Sequence, residues 1–170
     1  MAPEIRVGLG YDAHQLMIDR PLVLGGIIIP HNRGLQGHSD ADVLVHAIAD
    51  SLLGAAGLAD IGAHFPDTDP DNKDMKSTRL LADVLRMVVQ EGFRVGNVDA
   101  VVIAEKPKLA PHIPAMKSKL ARILLISDKA LSIKATTNER MGFVGREEGI
   151  AAIATSLIYV DHGTISQPDK

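Results

Sequence analysis

Residues 39–58 read SDADVLVHAIADSLLGAAGL. Val43, Leu44, Ala47, Ile48 and Leu52 recur at helical spacing and bury one face. Ser39 suits an N-cap, with Asp42 three residues on near the positive end of the helix dipole. The stretch therefore predicts a helix, and its flanks decide what the helix packs on. Upstream, Ile5–Tyr11 reads as a short strand, and PLVLGGIIIP (Pro21–Pro30) as a bent strand or hairpin broken at Gly25-Gly26. Downstream, Ser77–Glu91 is a second helix, with Leu80, Leu81, Val84, Leu85 and Val88 apolar and Gly92 as its stop. Val98–Ala104 and Leu131–Thr137 are strands, and Pro111–Leu125 is a third helix. Ile150–Val160 is ambiguous by period, but its β-branched content assigns a strand. The order is not a regular alternation of strand and helix. It predicts an α+β two-layer sandwich, a mixed β-sheet with helices on one face.

Composition narrows the function. At 170 residues the chain reads as one domain, residues 1–160, with a polar tail over 161–170. Eighteen Lys and Arg against 21 Asp and Glu give a net charge of −3, no footprint for nucleic acid or an anionic membrane. Cysteine is absent, which excludes disulfides, thiolate zinc sites and a cysteine nucleophile. His and carboxylates are left as metal ligands. No stretch of 18 apolar residues is present, and the first residues, MAPEIRVGLGYDAH, lack the pattern of a signal peptide. A cytoplasmic bacterial setting is expected; a mature plastid form is also compatible.

Four groups carry candidate chemistry. The first is Asp12-x-His14 with HSDADVLVH (His38–His46). Residues i and i+2 of an extended segment point to one side, so Asp12 and His14 can converge. On the helix Asp42, His46 and Asp50 form one stripe. One Asp and two His make a three-ligand set, as at catalytic zinc, and Asp42 and Asp50 are candidates to orient the His46 ring. Spacing alone fits ordinary surface or core histidines equally well. The second group, Asp60-Ile61-Gly62 and Phe65-Pro66-Asp67-Thr68-Asp69, suits polyol hydroxyls, a hard cation or plain solvation in a long loop, Phe65–Ser77. The third, Ala104-Glu105-Lys106-Pro107-Lys108-Leu109-Ala110, follows a buried strand. It fits a phosphate or base edge, or a Pro-rich turn. The fourth runs from Lys134 to Arg146. Thr136, Thr137, Asn138 and Glu139 could serve a diphosphate and its cation, and Arg146 an oxyanion; a strand entering a Gly-rich turn reads the same way. Walker, GxSxG, dinucleotide and HExxH patterns are absent. His31, His64, His112 and His162 are assigned structural or surface roles.

In this order the groups resemble the 2-C-methyl-D-erythritol 2,4-cyclodiphosphate synthase family. Its markers here are GYDAH (10–14), LGG (24–26), GHSDADVLVHAIADSLLGAAGLADIG (37–62), HFPDTDP (64–70), NVDAVVIAEKPKLAPHI (97–113) and KATTNERMGFVGREEGIAA (134–152). The resemblance implies a homotrimer with active sites at subunit interfaces. It implies zinc on Asp12, His14 and His46, and a second cation, Mg2+ or Mn2+, on Glu139. His38 and Ser39 would belong to a loop over the substrate, and His38 and Thr137 would stabilise the transition state. Asp60–Gly62 and Phe65–Asp69 would hold the methylerythritol phosphate end. Ala104–Ala110 would form the cytidine pocket of the neighbouring subunit, with Lys108 near the nucleotide. Phe143 and Arg146 would lie near the trimer axis, where an isoprenoid diphosphate or another anion can bind. Glu147, where many members carry a small residue, is expected to pair with Arg146. Assembly also has a sequence motive: Val98–Ala104 and Leu131–Thr137 read as apolar on both sides. A metal-dependent phosphohydrolase and a non-enzymatic metal-stabilised trimer binding isoprenoid diphosphates are the two rival classes.

Overall fold

The computed structural model describes residues 4–37, 39–66 and 75–160. β1 (Ile5–Ile18) runs well past the Ile5–Tyr11 segment that hydropathy marks, because Asp12 and His14 extend it as polar members of the same strand. β2 (Leu22–Leu24) and β3 (Ile27–Ile29) form a hairpin turned at Gly25 and Gly26, both with positive φ, so the expected break is a two-residue turn. β4 (Arg33–Leu35) pairs with the end of β1.

α1 (Val43–Ala56) starts four residues later than Ser39. Ala41 has φ 52, which a right-handed helix cannot contain, and the cap is Asp42. Its buried carboxylate accepts from Val45 N at 3.2 Å and also from Gly25 N at 2.9 Å and Gly26 N at 2.6 Å. One side chain thus ties the helix start to the β2–β3 turn. Burial pushes this carboxyl up to about 6, against the three N–H donors that favour its anion.

A short helix α2 (Ile61–His64) follows, then α3 (Ser77–Gln90), whose Leu80, Leu81, Val84, Leu85 and Val88 are buried as the sequence predicts. β5 (Phe93–Ile103), α4 (Ile113–Leu124), β6 (Leu131–Thr136), the single turn α5 (Gly142–Gly145) and β7 (Gly149–Val160) complete the chain. The main sheet has the order β4-β1-β7-β5-β6, antiparallel except for the β5–β6 pair. This is the expected α+β mixed sheet. Asp12, Ala152, Val102 and Ala135 lie in one row across it.

Even-numbered residues of β1 face α1, and two of them, Gly8 and Gly10, have no side chain to hold the helix away. A Cβ on Gly8 would lie 1.9 Å from the Ser51 carbonyl oxygen, and one on Gly10 would lie 2.0 Å from that of Ala47. Ser51 Oγ meets Ser156 Oγ of β7 at 2.5 Å, so α1 also bonds to the second strand beneath it. The odd-numbered side chains point the other way and are exposed: Val7 68%, Leu9 67% and Tyr11 55%, with Ile153 of β7 nearby at 36%. Within the described part of the main sheet, the uncovered apolar surface is therefore concentrated on β1 and β7. On β6 the outward residues are the exposed Ser132 and Lys134, contrary to the expectation of an apolar strand on both sides. Among the described residues no helix is long and apolar enough to cross a membrane.

This packing predicts opposite signs for two glycine substitutions. Gly10→Ala pushes a methyl into helix backbone and should cost at least about 1–3 kcal/mol in denaturant unfolding. Gly54→Ala, on α1 with its nearest neighbour 4.0 Å away, should stabilise by up to about 1 kcal/mol.

Candidate metal centre and substrate pocket

β1 and α1 bring three ligand atoms to one point. His14 Nε2 lies 2.9 Å from Asp12 Oδ2, His46 Nδ1 lies 3.0 Å from the same oxygen, and the two nitrogens are 3.2 Å apart. Four ligands about 2.0–2.1 Å from an ion, placed tetrahedrally, stand about 3.3 Å from one another. The three atoms match one face of that tetrahedron with little adjustment, and one oxygen with two imidazole nitrogens is a donor set that suits a divalent ion. The His14 and His46 rings meet edge-on, centroids 5.3 Å apart.

The charges in this cluster are coupled. Burial alone would raise the Asp12 carboxyl, but hydrogen bonds from His14 and His46, and the charge on both rings, hold it well below the ordinary carboxylate range. Burial lowers His14, yet the Asp12 carboxylate outweighs it, and a backbone hydrogen bond to Gln36 adds to the rise. A protonated imidazole cannot ligate, so a metal ion must displace that proton.

The triad opens onto a pocket of about 530 Å3 that also takes in Ser39, Ile61, Gly62, Phe65 and Pro66. Met75 and Leu80 line it as well, although in the sequence Met75 reads as loop and Leu80 as helix core. The wall formed by α2 is set by two carboxylates. Asp60 caps the helix, its Oδ1 accepting from Ala63 N at 2.9 Å, and Asp50 accepts from Ile61 N at 2.8 Å. Asp50 therefore holds the pocket wall and has no hydrogen bond to His46, contrary to the role expected of it; burial also raises its carboxyl above the ordinary range. Asp42, the other residue expected to orient His46, is occupied by its three backbone donors. The contact to His46 comes instead from Ser77, a residue the helical stripe could not reveal. His38, Asp67, Thr68 and Asp69 lie outside the described residues.

The third and fourth groups come together at the far side of the sheet. β5 and β6 are parallel neighbours, and Ala104 N donates to the Thr136 carbonyl at 2.9 Å. Glu105 Oε1 accepts from Asn138 N at 3.0 Å and Arg140 N at 3.1 Å, so this side chain braces a turn in which Glu139 and Arg140 both have positive φ. Beyond it Thr136 is exposed, and Thr137 Oγ1 donates to Glu139 Oε1 at 3.2 Å. Lys106 pairs with Glu147 at 3.0 Å, Lys108 is exposed, and Leu109 is buried in the core. Pro107 and Ala110 complete this edge. Glu147 does not pair with Arg146 as expected: it takes Arg33 at 2.8 Å and Lys106, and Arg146 is held by Glu148 at 2.8 Å. The cause is chain direction. Glu147 sits in the left-handed region, φ 56, and turns away from its neighbour. Phe143 and Glu148 border another cavity, of about 520 Å3, together with Ala13, His14, Gln15 and Gly149.

Asp12 and the Thr136–Glu139 turn thus sit at the same end of the sheet with two strands between them. Three strand spacings give a separation of about 14 Å.

The chain matches the model of the YgbB family over residues 5–159. It is 58% identical over 156 residues to the 2-C-methyl-D-erythritol 2,4-cyclodiphosphate synthase of Ralstonia pickettii, covering 92% of this chain and 93% of that one. The bifunctional IspDF of Campylobacter jejuni superimposes with a TM-score of 0.90 at 41% identity; the match covers 94% of this chain and 43% of that larger one. IspF of Plasmodium falciparum, solved as a CDP complex, superimposes with a TM-score of 0.82 at 32% identity over 93% of this chain and 97% of that one.

The signs of the two shifts fix a pH dependence. In metal-free protein, the stability contributed by raised His14 is complete below pH 6.5 and is lost as pH rises through its folded value. That contributed by lowered Asp12 is present above about pH 3.8 and lost as pH falls below. The cluster's contribution should therefore peak between those values in a melting series. Zinc should reverse the alkaline limb, and its affinity should fall roughly tenfold per pH unit once His14 is protonated.

Proposed function

The chain belongs to the YgbB family, and from that premise we propose the reaction its site serves: conversion of 4-diphosphocytidyl-2-C-methyl-D-erythritol 2-phosphate to 2-C-methyl-D-erythritol 2,4-cyclodiphosphate with release of CMP. The observation that carries it is the convergence of Asp12, His14 and His46 at the mouth of a pocket large enough for a branched sugar phosphate. The enzyme is a cyclising phosphorus–oxygen lyase of the methylerythritol phosphate route to isoprenoids.

The reaction is intramolecular. An oxygen of the 2-phosphate forms a bond to the β-phosphorus, the bond from that phosphorus to the bridging oxygen breaks, and CMP leaves with the electron pair. The substrate supplies its own nucleophile, so no nucleophilic side chain is required. What the protein must do is bend two anionic groups into line; such positioning accounts for about 7–11 kcal/mol in favourable cases. Asp12, His14 and His46 would hold a zinc ion, which supplies Lewis-acid polarisation of a β-phosphate oxygen when bound. Glu139 would hold a second cation, Mg2+ or Mn2+. The walls formed by Ile61, Gly62, Phe65 and Pro66 would take the methylerythritol end with Asp60 behind them, and Ser39 would cover it. Thr137 would hydrogen-bond the diphosphate, and Lys108 the nucleotide. Glu105 and Leu109 contribute by shaping that edge, one as a brace and one as core.

A single chain keeps the triad about 14 Å from the Thr137–Glu139 edge. The bare apolar face of β1 and β7 is the kind of surface that copies of a chain bury. Both support a homotrimer in which each site takes the triad from one subunit and the Ala104–Ala110 edge from its neighbour. Arg146 and Phe143 would then lie near the axis, where an isoprenoid diphosphate or another anion would have to compete with the exposed Glu148 carboxylate for Arg146.

Incubation with the cytidylated substrate, Zn2+ and Mg2+ should give CMP and a cyclic diphosphate by phosphorus NMR; a hydrolysed open-chain product would refute the cyclase. Asp12→Ala and Lys108→Ala should each be nearly inactive. An equal mixture after subunit exchange should regain about one quarter of the sites, those that take the triad from a Lys108→Ala subunit and the nucleotide edge from an Asp12→Ala neighbour. No recovery, with exchange verified, would exclude the shared site.

A further inference from the structure

His46 offers Nδ1 to Asp12 and His14, and its other nitrogen is also engaged. Nε2 lies 3.0 Å from the hydroxyl of Ser77, the first residue of α3 and 1% exposed. That hydroxyl in turn donates to Oδ1 of Asp40, whose two oxygens also accept the Ser77 N–H at 3.1 and 3.3 Å. A carboxylate has only lone pairs to give, so the one hydroxyl proton points at Asp40. What remains for His46 is a lone pair on Oγ, and Nε2 must carry the ring proton to use it.

This matters because the ring has a competing choice. Asp12 Oδ2, 3.0 Å from Nδ1, would draw the proton to that nitrogen and so remove the lone pair a metal ion needs. We infer that Ser77, oriented by Asp40, is a positioning residue for His46: it fixes the ring plane and holds the proton on Nε2, so that the proton the ring gives up is the one on Nδ1, which is then free to ligate. The inference rests on the reading of Asp12, His14 and His46 as a metal site. Helix capping does not explain the hydroxyl. The N-cap position of α3 is Lys76, without a side-chain hydrogen bond, and the Ser77 N–H is already satisfied by Asp40. Asp42 and Asp50, the other carboxylates on the helix that carries His46, bond elsewhere.

The experiment is chelator competition with Zn2+ alone on the full chain, together with nitrogen NMR of the singly protonated His46 ring in metal-free protein, at a pH high enough for the ring to be neutral. Ser77→Ala should weaken zinc at least tenfold, within the 10–100-fold range of such outer contacts, and should raise the Nδ1–H population of His46. A loss below tenfold, or an unchanged tautomer, overturns the inference. Should Ser77→Ala not fold, Asp40→Ala serves: it frees the Ser77 proton to turn toward His46, and zinc affinity must fall by the same criterion. His46→Ala separates the two levels. If it retains zinc, the metal site itself is misassigned; if it loses zinc while Ser77→Ala keeps it, only the positioning role fails.

Discussion

The distance between α1 and the sheet governs this molecule. Gly8 and Gly10 remove the side chains that would keep helix and strand apart, and carbonyls of Ala47 and Ser51 occupy the space. A helix on a sheet normally rides on interdigitating side chains. Here one turn of α1 rests on strand backbone, and the residue before Ala47 is His46. The same approach that brings Ala47 down onto Gly10 brings the imidazole of His46 over Asp12 and His14, two and four residues further along β1. The convergence of these three candidate ligands is therefore a by-product of packing. The depth of the helix, set by two absent side chains, decides whether three ligand atoms meet.

Carboxylates do most of the remaining work, and most of it is structural. Asp42 fastens α1 to the β2–β3 turn, Asp50 and Asp60 fix α2, Glu105 braces the Asn138–Arg140 turn, and Glu147 joins Arg33 to Lys106. Each satisfies a backbone donor or a cation that would otherwise be unpaired. Asp12 differs in kind. One of its oxygens accepts from Ala13 N at 2.8 Å like the rest, but the other meets two imidazoles, groups that can exchange a proton for a metal ion, whereas the backbone amides and the Arg33 and Lys106 cations held by the others have no such alternative state.

Most element types were legible, because the apolar periods at Val43–Leu52 and Leu80–Val88 are strong local signals; Ile150–Val160, ambiguous by period, reads as a strand on its β-branched content alone. The triad was legible as a candidate, since a DxH strand and a histidine on a helix stripe have a spatial meaning that spacing conveys. What could not be read were contacts made at long sequence range. Ser39 has the better local credentials for a cap, but Asp42 wins because Gly25 and Gly26 arrive from elsewhere in the fold. The stripe logic that nominated Asp42 and Asp50 as supports for His46 assumes that neighbours on one helix interact. The actual neighbour belongs to another helix, thirty-one residues away. Glu105 and Leu109 sit inside a matching motif, yet their side chains serve the turn and the core. A motif marks where a segment lies without saying which of its atoms face the substrate. The Gly8-x-Gly10 spacing is itself a local sign of the close approach, since small residues at alternate positions of a strand mark the side where something lies close.

β1 is a strand with two vocations divided by parity. Its even positions carry Gly8, Gly10, Asp12 and His14 toward the helix, and its odd positions carry Val7, Leu9 and Tyr11 away from it. The pleat permits no compromise between the two sets. An inserted or deleted residue upstream of Asp12 would not merely shift the strand. It would send bulky side chains against the carbonyls of α1 and turn glycines outward, and either the helix would lift or Asp12 and His14 would lose their register with it. Evolution can thus edit each face of this strand by substitution, almost independently, but can change its length only at the ends, which places the seven residues from Gly8 to His14 among the least elastic stretches of the chain.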